Sequence, residues 1–357
     1  MQIMKLNGHW NFLLASIWKS PGFEINDLGY IREADQLLNI LWTGYNQWDP
    51  KGIYRRYNLN FDIFSATNFG GENLGYGFEW NGSMELKNYW NVFTGGNLSS
   101  AGIKTGILRG GPSMKMPGSV NARIGFSSDF RKKLNFQVFV NGSKGFENSS
   151  YNINSKIEIK YKPTNWLVVS FDPGISRSFS ELQYVTYKQI DNHDKYIFAS
   201  IDRKTINTSF RVNLNLSPDL TVQYWGQPFI ATGKYYDHKY ILEPKADDYR
   251  NRFWTYSDSQ ISYDGSKYNV DENRDGTTDY TIANKDFNVR EFLSNLVVRW
   301  EYNPGSSVYF VWSQTRSSYF NNGDLNYMDD LADLFNTGDN HPHNVLLIKL
   351  SYRFGLK

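Results

Sequence analysis

Apolar and polar residues alternate one for one along much of this chain. Between Tyr151 and Tyr161 the apolar positions are Tyr151, Ile153, Ile157, Ile159 and Tyr161, interleaved with Asn152, Asn154, Lys156, Glu158 and Lys160. Tyr57, Leu59, Phe61 and Ile63 alternate with Asn58, Asn60 and Asp62, and Leu134, Phe136, Val138 and Val140 oppose Asn135, Gln137 and Asn141. Near the end, Leu346, Ile348, Leu350, Tyr352 and Phe354 alternate with Lys349, Ser351 and Arg353. Successive side chains of a strand point to opposite faces, so each run predicts a strand with one apolar and one polar face. The runs are longer than the roughly 5–6 residues usual in soluble sheets.

Fourteen strands are predicted, at about 4–18, 34–47, 53–66, 74–86, 89–98, 118–128, 134–144, 151–162, 166–189, 195–216, 220–232, 286–302, 307–319 and 344–354. Short turns rich in Pro, Gly, Asn, Asp or charge (48–52, 85–89, 129–133, 162–165, 217–219, 303–306) alternate with longer connections. The long ones are 20–31, 67–73, 99–117, 145–150, 190–195, 233–285 and 321–343. An even count, dyad alternation and two unlike rims predict an all-β fold, a transmembrane antiparallel up-and-down β-barrel of about 14 strands. Lipid offers no hydrogen-bond partners, so a sheet crossing it must close on itself. Residues 1–357 read as one barrel domain, with long extracellular loops at 99–117, 233–285 and 321–343 and both chain ends on the periplasmic side. A soluble propeller would show a repeat of about 40–50 residues, and none is present.

Composition supports this class. The chain has 11 Trp, 25 Tyr and 24 Phe, yet its mean hydropathy is −0.56, so its apolar content is aromatic and dispersed. Trp10, Trp18, Trp42, Trp48, Trp90, Trp166 and Trp300 lie near strand ends, as interfacial girdles require. Lys and Arg number 38 against 36 Asp and Glu; a net charge of +2 gives no case for nucleic acid. The absence of cysteine excludes disulfides, thiolate metal sites and cysteine nucleophiles. No apolar run approaches the ~18 residues of a membrane helix, and Met1–Leu6 lacks the apolar region of a secretory signal. The sequence therefore reads as a mature or trimmed segment.

The stretch Ser20-Pro-Gly-Phe-Glu-Ile-Asn-Asp-Leu-Gly29 with Ala34-Asp35 resembles an uncharacterised outer-membrane β-barrel domain family of Bacteroidota. Further matches are Leu108-Arg-Gly-Gly-Pro112, Gln227-Pro-Phe229, Val270-Asp-Glu-Asn-Arg-Asp-Gly276, Leu296-Val-Val-Arg-Trp-Glu-Tyr302 and Ile348-Lys-Leu-Ser-Tyr-Arg-Phe354. In that family the barrel domain usually follows a module resembling family 9 carbohydrate-binding domains. Neither this module nor the strands that usually precede the Pro21-Gly22 motif are found here, as expected for the C-terminal part of a larger barrel. The resemblance implies a membrane anchor or pore in glycan or nutrient handling.

The sharpest chemical motif is Asp271-Glu-Asn273-Arg-Asp275-Gly276-Thr277-Thr-Asp279. Oxygens at positions 1, 3, 5 and 9, a Thr277 carbonyl at 7 and Gly at 6 follow calcium-loop spacing, although position 12 is Ile282 and not Glu. Calcium is thus the one expected cofactor, as a loop staple; the alternative is a solvated turn. His341-Pro-His343 beside Asp339 is a weaker metal candidate. Glu24 with Asp27, Asp247 with Asp248, and Asp329 and Asp330 with Asp333 are adjacent carboxylates of the kind glycoside hydrolysis needs, the last group on a predicted short helix at 326–335. No hydrolase or phosphate-loop motif appears, and no catalytic residue is assigned. The charges expected to face the lumen (Arg55, Asp62, Lys156, Glu158, Lys160, Arg299, Glu301, Lys349, Arg353) are of both signs, as in cross-strand pairs or a mixed-charge pore.

The expected function is an outer-membrane anchor or pore in a Gram-negative envelope, and not an enzyme. Its partners would be outer-membrane lipid, glycans or other small polar solutes, and other envelope proteins. The alternatives are a surface hydrolase acting on carbohydrate through its loops, and a barrel subunit of a larger complex.

Overall fold

The structure is a computed structural model that describes residues 1–357 except 28, 32, 191, 337–340, 356 and 357. In chain order the strands are β1 (Gln2–Lys5), β2 (Trp10–Lys19), β3 (Gln36–Gln47), β4 (Tyr54–Thr67), β5 (Asn73–Leu86), β6 (Asn91–Ser99), β7 (Gly102–Lys104) and β8 (Met114–Met116). There follow β9 (Ser119–Ser127), β10 (Leu134–Gly145), β11 (Ser150–Tyr161), β12 (Leu167–Ile190), β13 (His193–Asn215), β14 (Leu220–Ile241) and β15 (Phe253–Thr255). The last are β16 (Ile261–Tyr263), β17 (Lys267–Val270), β18 (Tyr280–Ala283), β19 (Phe287–Asn303), β20 (Ser306–Phe320) and β21 (His343–Ser351), with one helix, α1 (Tyr327–Phe335), before β21.

One sixteen-stranded antiparallel sheet dominates, running β1-β2-β3-β4-β5-β6-β9-β10-β11-β12-β13-β14-β19-β20-β21, with β15 attached to the far end of β14. Among the described residues β1 bonds only to β2 and β21 only to β20, so the two ends of this path are not joined. Three sequence expectations are corrected here. The first expected strand, 4–18, is two strands folded back on each other, with Gln2 opposite Ala15; Gly8 at φ +77 takes the left-handed backbone that a tight turn needs. The expected long connection 190–195 is instead a tight hairpin, with Ile190 paired to His193. The expected end of a strand at 232 lies inside β14, which continues to Ile241.

The sheet curls. Glu72, in the loop after β4, pairs with Lys245, just after β14, at 2.6 Å. These are the fourth and twelfth strands of the path, which a flat sheet would hold about 38 Å apart at ~4.8 Å per strand.

Burial along the curled wall is inverted with respect to a soluble sheet. On β4 the exposed row is apolar, with Leu59 41% and Ile63 56% accessible, while Asn58, Asn60 and Asp62 are half-buried on the other face. Ile153 and Ile159 on β11, Phe171 and Ile175 on β12, and Ile348 on β21, at 74%, are also exposed. Trp10 and Trp18 sit on this outward row at the two ends of β2, and Trp90 stacks on Phe126 and meets Phe136 edge-on near the short-turn end. Three depart from an outward girdle: Trp42 pairs with Leu13 and Asp62 on the inward row, Trp48 lines a cleft with the inward Asn58 and Ser83, and Trp166 lines one with Val168.

At the long-loop end ordinary packing returns. Strands β12, β13 and β14 have 24, 23 and 22 residues, about twice the 9–11 that cross a bilayer. Their outer halves are packed on both faces. Leu182, Phe198 and Ile241 meet Leu108 and Met114 from the β7–β8 hairpin, with Tyr249 and Phe253. Val185, Ile197 and Ala199 meet Tyr256, Val270 and Ile282 around the small sheet β16-β17-β18. The result is a cap with a buried apolar core.

Candidate functional site

Four places carry polar or charged groups in built surroundings: the inward row of the wall, the short-turn rim, the 271–279 loop in the cap, and the seat of α1. The inward row is rich in amides that bond across strands. Asn60 Nδ2 donates to Asn81 Oδ1 at 2.9 Å, Asn121 Nδ2 to Asn141 Oδ1 at 2.9 Å, and Ser83 Oγ to Asn58 Oδ1 at 2.7 Å. Phe93 stacks on Phe139 at 6.0 Å beside Asn81 and Arg123, lining a cleft of about 400 Å³. A smaller cleft of about 180 Å³ has Asn213, Gln223, Trp225 and Asn295 in its wall. Amides beside aromatic faces can bind neutral polar molecules by hydrogen bonding and stacking. Of the expected lumen charges, Arg55 makes a cross-strand pair with Glu85 at 2.9 Å, whereas Arg299 pairs with Glu301 on its own strand.

At the short-turn rim the turns 128–133 and 162–166 lie side by side, because Leu134 pairs with Tyr161. Asp129, only 3% accessible, accepts from Arg131 Nε at 2.9 Å and Nη2 at 2.8 Å. Those bonds hold its carboxyl well down, at about 2. The Arg131 guanidinium lies 3.2 Å from the centroid of the Tyr89 ring.

The 271–279 loop folds on its own amides. Asp271 accepts from the Gly276 amide at 2.9 Å and the Asp275 amide at 3.2 Å; Asn273 accepts from the Asp275 amide at 2.9 Å and Asp275 from the Thr277 amide at 2.8 Å. Asp279 accepts from the Glu272 amide at 2.7 Å, closing the loop, and Gly276 at φ +86 makes the turn. Among the described residues no three His, Asp or Glu side chains are gathered as a metal-holding group; the expected donor set also draws on Asn273 and a Thr277 carbonyl. Glu272 points inward and anchors the loop to Lys195 of β13, Tyr280 and Tyr256. Burial alone would raise its carboxyl, but these donors outweigh that and leave it lowered.

The paired carboxylates are engaged structurally. Asp330 and Asp333 both pair with Arg290 of β19, the former at 2.6 Å with both partners buried; Asp329 accepts from Asn326. Asp247 pairs with Lys115 at 2.8 Å and Asp248 caps a short 3-10 turn through the Arg250 amide. Glu24 accepts from the Asn26 amide. Asp339, set beside His341 and His343 in the sequence, lies outside the described residues. Sequence reasoning missed Arg290. It shares a row with Leu296, Val298 and Trp300 through an unbroken register; Asn288 and the Phe320 ring flank it, and the folding of α1 onto that row brings its carboxylate partners. His238 was also missed. It is 4% accessible and stacks on Tyr268 at 4.2 Å; burial, then the charge of Lys239, lowers it to about 4.

The chain belongs to the family described as a domain of unknown function (DUF5916), which matches residues 1–354. No curated protein matches the chain.

Proposed function

We propose that this chain is the wall of an outer-membrane β-barrel, closed in the bilayer, and that it serves there as an anchor or pore in glycan or nutrient handling at the cell envelope. The observation that carries this reading is the inverted burial of the wall: residues such as Leu59, Ile63, Ile153 and Ile348 are exposed while the asparagine row opposite is sheltered. Water penalises that arrangement by about 25 cal/mol per Å² of apolar surface, whereas hydrocarbon favours it. Trp10 and Trp18, eight residues apart on one row, lie ~27 Å apart along the strand, which at the ~35–45° tilt of such barrels spans about 20 Å of the ~25 Å apolar band. The same physics demands partners for the free edges of β1 and β21, since each unpaired backbone group costs several kcal/mol in lipid. The amide and aromatic clefts of the inward row suit small neutral polar solutes. A surface hydrolase draws less support, because its candidate acids Asp247, Asp329, Asp330 and Asp333 already serve lysine, arginine or amide partners.

The test is gel mobility of the detergent-purified chain with and without boiling, followed by conductance in a planar bilayer. A heat-dependent shift and stepwise conductance are expected; an unshifted band from protein that is soluble without detergent would sink the reading.

We propose calcium for the 271–279 loop as a second reading, supported by its donor spacing and by amides that bond behind the carboxylates. Each ionised carboxylate keeps acceptor sites beyond those its amides use. Calcium at ten times its Kd should stabilise the cap by about 1.4 kcal/mol, read as slower hydrogen exchange at 256–283. An exchange rate that calcium does not change would refute it.

A further inference from the structure

The short-turn mouth holds a cleft of about 680 Å³ lined by Arg131, Lys132, Lys133, Lys162 and Trp166. The Lys162 amide donates to the Lys133 carbonyl at 2.6 Å, which fixes the two turns together. The carboxylate in the same turn, Asp129, is committed to Arg131 through both oxygens. Among the described residues Lys132, Lys133 and Lys162 make no ion pair, the Arg131 pair being the one at this place. On the inward rows of the adjoining strands, Lys160 and Arg211 add cations, and Glu158, Asp172 and the turn residue Asp219 are the facing acids. The balance of these groups is positive, although the whole chain is nearly neutral. Like charges gathered in a concave site raise the local concentration of anions. Arg131, braced by Asp129 and Tyr89, is oriented before any ligand arrives, so little ordering entropy opposes binding.

We propose that this cleft binds the phosphate or carboxylate group of a small anionic solute at the short-turn mouth. The solute's onward passage through the wall rests on the pore reading above; the binding itself does not. Val168, the cleft's innermost residue, belongs to the inward row opposite Asn213. This position favours a dissolved solute over a lipid headgroup, which would carry the same chemistry.

The experiment is calorimetric titration of the detergent-purified full chain with inorganic pyrophosphate, beside the triple variant Lys132→Gln, Lys133→Gln, Lys162→Gln. Binding should weaken about tenfold or more in the variant and fall as salt rises, as a site held by three further charges requires. The boiled and unboiled gel reports whether the variant is folded. Should it not fold, Lys133→Gln alone and the salt dependence of the unmodified chain decide the matter. Absence of pyrophosphate binding, or binding equal in chain and variant, overturns the proposal. Displacement of pyrophosphate by vesicles containing phosphatidylglycerol, but not by neutral ones, would assign the cleft to lipid and overturn the solute. Binding without conductance breaks the pore reading and leaves this site standing; conductance without binding does the reverse.

Discussion

Leu59 and Phe198 are both apolar residues on antiparallel strands of one sheet, yet the first is 41% exposed and the second 1%. They mark two regions built by opposite rules. In the wall the apolar row faces out and the amides face in. In the cap, Phe198 is enclosed by Leu108, Met114, Leu182 and Tyr249, as in any water-soluble domain. The strands β12 to β14 pass through both regions without a break in secondary structure. The backbone ladder runs on unchanged, and the side chains alone distinguish the two lengths of strand. The seat of α1 marks the border on β19. Below it the outward row is Leu296, Val298 and Trp300; above it the same row is Asn288, Arg290 and Phe292, roofed by the helix.

The sharpest way to break this comparison is to damage one region and watch the other. Phe198→Ala should cost about 3–5 kcal/mol through the cavity it leaves, all of it in the cap. Hydrogen exchange and limited proteolysis should accelerate at 99–117 and 243–285 while the heat-dependent gel shift persists. Loss of the gel shift as well would show that the two regions fold as one unit.

The converse change is Ile63→Arg on the outward row. At a water-exposed site it would fall within about 0.5 kcal/mol of neutral, whereas at a lipid-facing midplane it should cost about 2–4 kcal/mol. Urea titration of the chain folded into vesicles separates the two cases, and a near-zero change would end the membrane account of the wall.

A smaller effect sharpens the cap side. The folded-state pKa of His238 is depressed to about 4 from 6.5, first by burial and then by Lys239. The neutral ring therefore contributes stability that is complete above about pH 6.5 and lost as pH falls towards 4, up to about 3 kcal/mol. Exchange at 256–283, which packs Tyr268 on this ring, should rise across that window and flatten in His238→Phe. A pH profile that does not change in the variant would reassign the acid sensitivity to another group.

Much of the wall was legible because alternation is a local property. Tyr151–Tyr161 and Leu134–Val140 declare two faces, and they pair with each other in register, Phe136 opposite Ile159 and Val138 opposite Ile157. The long strands at 166–189 and 195–216 and the helix at 326–335 were also readable within a residue or two. The first strand was misread because Ile3, Leu13 and Leu14 offer apolar residues on both sides of Asn7-Gly8, so the turn was masked by pattern. Of the sites, the Asp271–Asp279 loop was visible as spacing along nine residues. The basic cleft was visible only as two separate charged turns, 129–133 and 162–165, and nothing local says that they touch.

The sequence by itself determined that the chain is strands with one apolar and one polar face, because side-chain direction in a strand follows from position parity alone. Only the tertiary structure decided where β12 to β14 leave the wall for the cap, that Arg290 meets Asp330 across 40 residues, and that Arg131 and Lys162 share a cleft. Each of these depends on curl, register and the folding of distant loops onto one another. Such contacts are set by the sum of packing over the whole sheet, and no local pattern of residues encodes them.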